Sequence, residues 1–205
     1  MPGTHAVTLS DPHRHPWTHV PLTHVPLTKG DDLIALLRQG RAHAESAAAG
    51  AVDQLAHGLQ CAFELQLAAP DDVELQLAGL VHDIGHLLAP GDDAGHGRVA
   101  GDAVRHLLGE RIARLVELHV PAKRYLVATD PAYRDLLSPT SAVTLGRQGG
   151  GMSSDEVAAF AALPECADAS LLRRADEAAK VANRVVPHLD TWRPALLAVA
   201  ETPAS

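Results

Sequence analysis

The stretch Leu80-Val81-His82-Asp83-Ile84-Gly85-His86 sets three ionisable side chains inside an otherwise apolar, helix-forming run. Burying such groups without partners is costly, so they demand compensation from other parts of the chain. Neighbouring side chains diverge by ~100° around a helix, so His82 and Asp83 can serve one centre only if the helix lies beside it. His86, four residues on, returns to the face of His82.

The surrounding pattern is helical almost throughout from Lys29. Asp31 or Asp32 can cap a helix carrying Leu33, Ile34, Leu36 and Leu37 that stops near Gly40. A second helix is expected from about Val52 to Ala68, with Leu55, Leu59, Ala62, Phe63 and Leu67 at three- and four-residue steps. A third opens at Asp71-Asp72 and runs through Val73, Leu77, Leu80, Val81, Ile84 and Leu88 to Pro90. A fourth spans roughly Arg98 to Leu108, and a fifth runs from Glu110 to His119, where Pro121 interrupts it before a short continuation through Tyr125 and Val127. Ser138 to Met152, polar and glycine-rich, reads as a loop bearing functional side chains. Ser153-Ser154-Asp155-Glu156 forms a capping box for a helix ending at Pro164, and a long helix follows from about Ala167 to Val185.

No strand signal competes with these patterns, so the fold class is all-α. Residues 1–28 contain a Thr-His-Val-Pro-Leu tandem repeat and read as an extended Pro- and His-rich arm, which leaves 29–205 as one helical domain. The five histidines of the arm have no regular spacing to make them a metal tract.

Of the 205 residues, 17 are Lys or Arg and 25 are Asp or Glu, a formal net charge of −8. That balance argues against nucleic acid or an anionic membrane as the main partner, because both reward clustered cations. A small metabolite fits better. No run of ~18 apolar residues exists, and the start MPGTHAV lacks the basic and apolar parts of a leader, so a cytoplasmic location is expected. The two cysteines, Cys61 and Cys166, read as thiols without a disulfide. Histidine is the unusual residue, with 13 in the chain.

Further polar residues occupy apolar-face positions of other helices: His57 in the second, His96 at the start of the fourth, His119 at the end of the fifth and Asp176 in the last. A single buried histidine is ordinarily a satisfied core or capping residue. Four histidines and two aspartates from five segments look instead like a metal site inside a helical bundle.

The order His57, His82-Asp83, Asp176 resembles the signature of the HD-domain superfamily, most of whose members hydrolyse phosphate esters. Several longer strings are similar to one branch, the mixed-valence diiron oxygenases of the 2-amino-1-hydroxyethylphosphonate dioxygenase type. These are Gln54 to Ala62, Leu80 to His86, His119 to Val127 with its Lys123-Arg124-Tyr125 core, Gln148-Gly149-Gly150, and Arg173 to Asp176; together they cover about 52–180. The resemblance implies an HD-type helical bundle with a dinuclear metal site in its core, in which His57, His82, Asp83 and Asp176 hold one iron while Asp83, His96 and His119 hold the other. It further implies an Fe(II)/Fe(III) pair, O2 as co-substrate, and cleavage of the carbon–phosphorus bond of an α-hydroxyphosphonate to a carboxylate and inorganic phosphate. His86, Lys123, Ser141, Gln148 and Arg173 are then the substrate contacts, with Asp83, His86 and Lys123 the catalytic set. An upstream hydroxylase that makes the α-hydroxyphosphonate is the implied pathway partner.

Spacing agrees with two of these contacts, since Lys123 lies four residues after His119 and Arg173 three before Asp176. Aminophosphonate members carry a Tyr and a Glu shortly before the first ligand histidine, where this chain has Ala47 and Gly50, so recognition of an ammonium group is not implied. The chain also has Ala179 where the family usually has Gly. Two other readings use the same residues: a phosphohydrolase of nucleotides or phosphate monoesters with a metal-activated water, and a binding module with a purely structural metal.

Overall fold

A computed structural model describes residues 27–42 and 52–201. Ala47, Gly50 and the arm up to residue 26 lie outside the described residues. Helices α1 (Gly30–Gln39), α2 (Gln54–Ala68) and α3 (Val73–Val81) are followed by the single turn α4 (Gly85–Leu88). Then come α5 (His96–Leu108), α6 (Glu110–Thr129), α7 (Pro131–Leu136), α8 (Pro139–Arg147), α9 (Ser154–Ala161), α10 (Cys166–Ala178) and α11 (Leu189–Ala200). The described residues contain no strand, and none of their helices is long and apolar enough to cross a membrane.

Helix α6 is the axis of the bundle, packed by α5, α10, α3 and α9. Its Ile112, Leu115 and Leu118 are buried with Leu65 of α2, Leu77 of α3, Val104 of α5 and Leu172 of α10. Helix α11 closes the far side, where Trp192 and Leu196 cover the same core and meet α1. Leu27, at the end of the arm, donates its N–H to the Ala103 carbonyl at 2.9 Å.

Helix α1 starts at Gly30 after Lys29 with no side-chain cap, so Asp31 and Asp32 lie in its first turn and do not cap it as expected, whereas other helix starts follow local capping chemistry. Asp53 accepts from the Ala56 N–H at 2.7 Å and Asp72 from the Leu75 N–H at 3.0 Å, while Ser153 and Glu156 form the expected capping box.

Four helix runs also differ from expectation. The third helix does not run unbroken from Asp71 to Leu88. It opens after Val81 into i→i+3 bonds from Ile84 N to Val81 O, His86 N to Asp83 O and Leu87 N to Ile84 O, at 3.0–3.2 Å. Winding at ~3 residues per turn rotates His86 away from the face of His82, and its ring stacks on His96 instead, with centroids 4.0 Å apart. Pro121 does not interrupt α6, which continues for 20 residues. Packing on several sides outweighs the ~3 kcal/mol that an interior proline costs, and continuity keeps His119 and Lys123 one turn apart.

The segment Ser138 to Met152 is not a loop throughout. Ser138 caps α8 through the Ser141 N–H at 3.2 Å and Pro139 occupies its first turn. Only the stretch from Gln148, with Gly149 and Gly150 at positive φ, is irregular. The helix expected to reach Val185 stops at Ala178, and Asn183 beyond it adopts a left-handed conformation.

Gly85 permits the close approach of α4 to the first turn of α5, because a Cβ there would overlap the His96 carbonyl. Gly85→Ala should therefore cost about 1–3 kcal/mol by overpacking. Thermal denaturation checks this, and an unchanged Tm would contradict it.

Candidate metal centre and substrate cavity

The turn after α3, α2, the first turn of α5, the middle of α6 and the end of α10 converge on one point. Four imidazoles arrive there in the same tautomeric state. The Nδ1 atoms of His57, His82, His96 and His119 each face a backbone carbonyl, of Ala179 (3.0 Å), Gly79 (2.8 Å), Asp93 (2.9 Å) and Val116 (2.6 Å). A carbonyl only accepts, so each Nδ1 carries the proton and each neutral ring presents a lone pair at Nε2. Burial keeps His82 well below the ordinary histidine range and brings His119 down to about 4, so both rings are neutral at physiological pH.

These lone pairs face one another in two pairs. His57 and His82 approach to 3.2 Å between Nε2 atoms, and His96 and His119 to 2.9 Å. Asp83 sits between the pairs, with Oδ2 at 3.4 Å from His57 and Oδ1 at 3.3 Å from His96, 3.5 Å from His119 and 3.5 Å from His82. Asp176 completes the first group with Oδ1 at 3.2 Å from His57. Lone pairs crowded together repel unless a cation lies among them. Donors set at right angles on ~2.1 Å bonds are ~3 Å apart, which matches these spacings. The donors thus fall into groups able to hold metal: His57, His82 and Asp83, with Asp176 beside them, and Asp83, His86 and His96, with His119 beside them. Imidazole and carboxylate donors suit iron, manganese or zinc.

A cavity of about 620 Å³ opens beside the second group, lined by Asp83, His86, His96, His119, Lys123, Ser141, Thr144, Gln148, Arg173 and Lys180 among others. All of the substrate contacts expected from the resemblance therefore border one space. Lys123 Nζ donates to Thr144 Oγ1 at 2.7 Å and to Gln148 Oε1 at 3.0 Å, and the Gln148 amide donates to the Asp93 carbonyl at 2.9 Å. That carbonyl is the same one that orients His96. Burial, with Arg173 and Lys180 nearby, lowers Lys123 to about 7. Burial lowers His86 as well.

Arg173 is 3% exposed and engaged on all sides. Its Nε donates to Tyr133 Oη at 2.6 Å, one terminal nitrogen meets Asp176 Oδ2, and the other meets Glu177 and Ser141 Oγ. Lys180 Nζ reaches Ser141 Oγ at 2.9 Å and Asp176 Oδ1 at 3.4 Å. Burial works against the Glu177 charge, but Arg173 and Lys180 outweigh it and hold this carboxyl at about 2.

Tyr133, Thr144, Glu177 and Lys180 are the members of this site that the sequence reading missed. A signal existed for two of them: Arg173, Asp176, Glu177 and Lys180 follow an i, i+3, i+4, i+7 pattern that gathers four charges on one helical face. The Lys123-Arg124-Tyr125 string also resolves into separate tasks. Lys123 enters the cavity, Arg124 binds the Gly150 carbonyl (3.0 Å) and Glu156 (2.9 Å), and Tyr125 packs on Phe160 with centroids 4.9 Å apart.

No family model matches the chain. It is similar to the hydroxymethylphosphonate dioxygenase of Gimesia maris, 34% identical over 174 residues that cover 80% of this chain and 86% of that protein. It is also 35% identical over 127 residues to the [1-hydroxy-2-(trimethylamino)ethyl]phosphonate dioxygenase (glycine-betaine-forming) of Leisingera caerulea, covering 58% of this chain and 64% of that protein. With the first of these matched along most of both chains, this protein is an enzyme that belongs to the phosphonate dioxygenase family.

Proposed function

We propose that the protein cleaves the carbon–phosphorus bond of an α-hydroxyphosphonate with O2, giving a carboxylate and inorganic phosphate. The observation that carries this reading is the pair of facing imidazole sets sharing Asp83 at the wall of a cavity that also holds Lys123, Arg173 and Lys180. Metal donors and phosphonate-neutralising cations thereby border the same space. His57, His82, Asp83 and Asp176 would hold one iron, and Asp83, His96 and His119 the other, next to the cavity that would receive the substrate. Bound there as an Fe(II)/Fe(III) pair, iron supplies the redox chemistry that hydrolysis lacks, since hydrolysis would expel an unstabilised carbanion. One O2 balances the reaction, one oxygen atom going to carbon and one to phosphorus.

The chain's own residues bind and orient the substrate. Lys123 and Lys180 place ammonium groups against the phosphonate dianion, and Ser141 and Gln148 add hydrogen-bonding groups beside them. Arg173 fixes the outer oxygen of Asp176 while facing the cavity. His86, stacked on His96 and kept neutral by burial, offers a ring nitrogen to a substrate oxygen. A hydroxylation at the carbon next to phosphorus is the class of reaction that supplies such a substrate.

Phosphorus NMR of iron-loaded protein with α-hydroxyphosphonates should show phosphate release in air and none under argon. Cleavage of phosphate esters under argon, with phosphonates untouched in air, would contradict the proposal. Metal analysis should find two irons per chain, about one in His119→Ala and less than one in Asp83→Ala, because the Asp83 carboxylate faces both groups. Lys123 loses its proton above about 7, so kcat/KM for phosphonate should decline as pH rises past that value. Lys123→Gln should flatten this limb and lower kcat/KM roughly 10- to 100-fold.

A further inference from the structure

Much of the cavity wall remains once the metal donors and the cations have been assigned. Leu87 and Pro90 contribute to it from the end of α4 onward, Val120 from α6, and Pro139 and Val143 from α8. Val143 is an apolar side chain left 59% exposed in the middle of a helix while lining this space. The volume of about 620 Å³ falls within the range of sites that enclose a whole small molecule. Hydroxymethylphosphonate, a handful of non-hydrogen atoms, would leave most of it unfilled.

Two of the described carboxylates in the lining are already paired with cations. Asp93 and Arg147 neutralise one another at 2.5 Å, and Asp176 is paired with Arg173 and Lys180. Asp83 lies among four imidazoles. An ammonium on the substrate would have to take Asp93 or Asp176 from its cation to gain a carboxylate, and the buried Gln54 Oε1 in the same wall offers it only a neutral acceptor. An alkyl group needs no such exchange and removes apolar wall from water.

Resting on the dioxygenase reading, we propose that the substituent on the hydroxylated carbon is an uncharged alkyl chain of several carbons, seated against Leu87, Val120, Pro139 and Val143. The substrate class is then 1-hydroxyalkylphosphonates.

The test is a homologous series, hydroxymethyl-, 1-hydroxyethyl-, 1-hydroxypropyl- and 1-hydroxybutylphosphonate as separate enantiomers, with 2-amino-1-hydroxyethylphosphonate as the charged comparison. Binding to the iron-loaded full chain is measured by calorimetry under argon, and turnover in air by phosphorus NMR. Affinity should rise about fourfold per added carbon, the equivalent of ~0.8 kcal/mol for each buried methylene. The amino compound should bind more weakly than its uncharged counterpart of equal length. Val143→Asp, a change at an exposed position, should cost the butyl compound roughly tenfold, with the loss shrinking as the chain shortens.

Affinity that is flat or falls with chain length, an amino compound that binds tightest, or a Val143→Asp effect equal across the series would overturn the proposal. A rising series with no cleavage in air would keep the alkyl site and overturn the dioxygenase reading. Cleavage of hydroxymethylphosphonate without a rising series would do the reverse, and neither binding nor cleavage would overturn both.

Discussion

The whole centre depends on four hydrogen bonds from imidazole Nδ1 to backbone carbonyls. Each fixes a tautomer, and together they turn four Nε2 lone pairs inward on one carboxylate. Without them any of the rings could satisfy itself by rotating toward solvent or a neighbour. Three of the accepting carbonyls, Gly79, Asp93 and Val116, lie three residues before the histidine that they orient, so local winding sets each ring. The fourth, Ala179, comes from the irregular stretch beyond α10 and ties that end of the chain to α2.

A second layer of interactions connects the donors to the cavity. The Asp93 carbonyl is shared by His96 and Gln148, and Gln148 in turn accepts from Lys123. Arg173 is shared by Asp176, Glu177 and Tyr133. Residues of the imidazole–carboxylate cluster and cations of the cavity wall are therefore held by the same groups, so a shift of one disturbs the other. Glu177 and Asp176 together keep the cluster of buried Arg173 and half-buried Lys180 close to charge balance; without Glu177 two cations would share one carboxylate beside Lys123.

Much of this arrangement was legible in the sequence because it depends on residue types that are expensive to bury. His57, His96, His119 and Asp176 stand at apolar-face positions, and each converges on His82 and Asp83. What escaped was backbone detail governed by packing. Pro121 reads locally as a helix stop, but burial of α6 on several sides overrides it. The i→i+3 turn around Asp83 leaves no mark in hydrophobic periodicity, which is why His86 was expected beneath His82 rather than stacked on His96. Helix α8 was hidden because its glycine-rich exit outweighed the Ser138-Pro139 start. Tyr133 and Thr144 could not be singled out, since each acts only through a distant partner, Arg173 or Lys123.

The central claim is that Asp83 lies between two metal ions, and anomalous diffraction at the iron absorption edge from crystals of the iron-loaded protein tests it most directly. Two anomalous peaks should flank the Asp83 carboxylate, one among His57, His82 and Asp176 and the other beside His96 and His119. A single peak, or peaks elsewhere with His96 and His119 left without metal, would contradict the account.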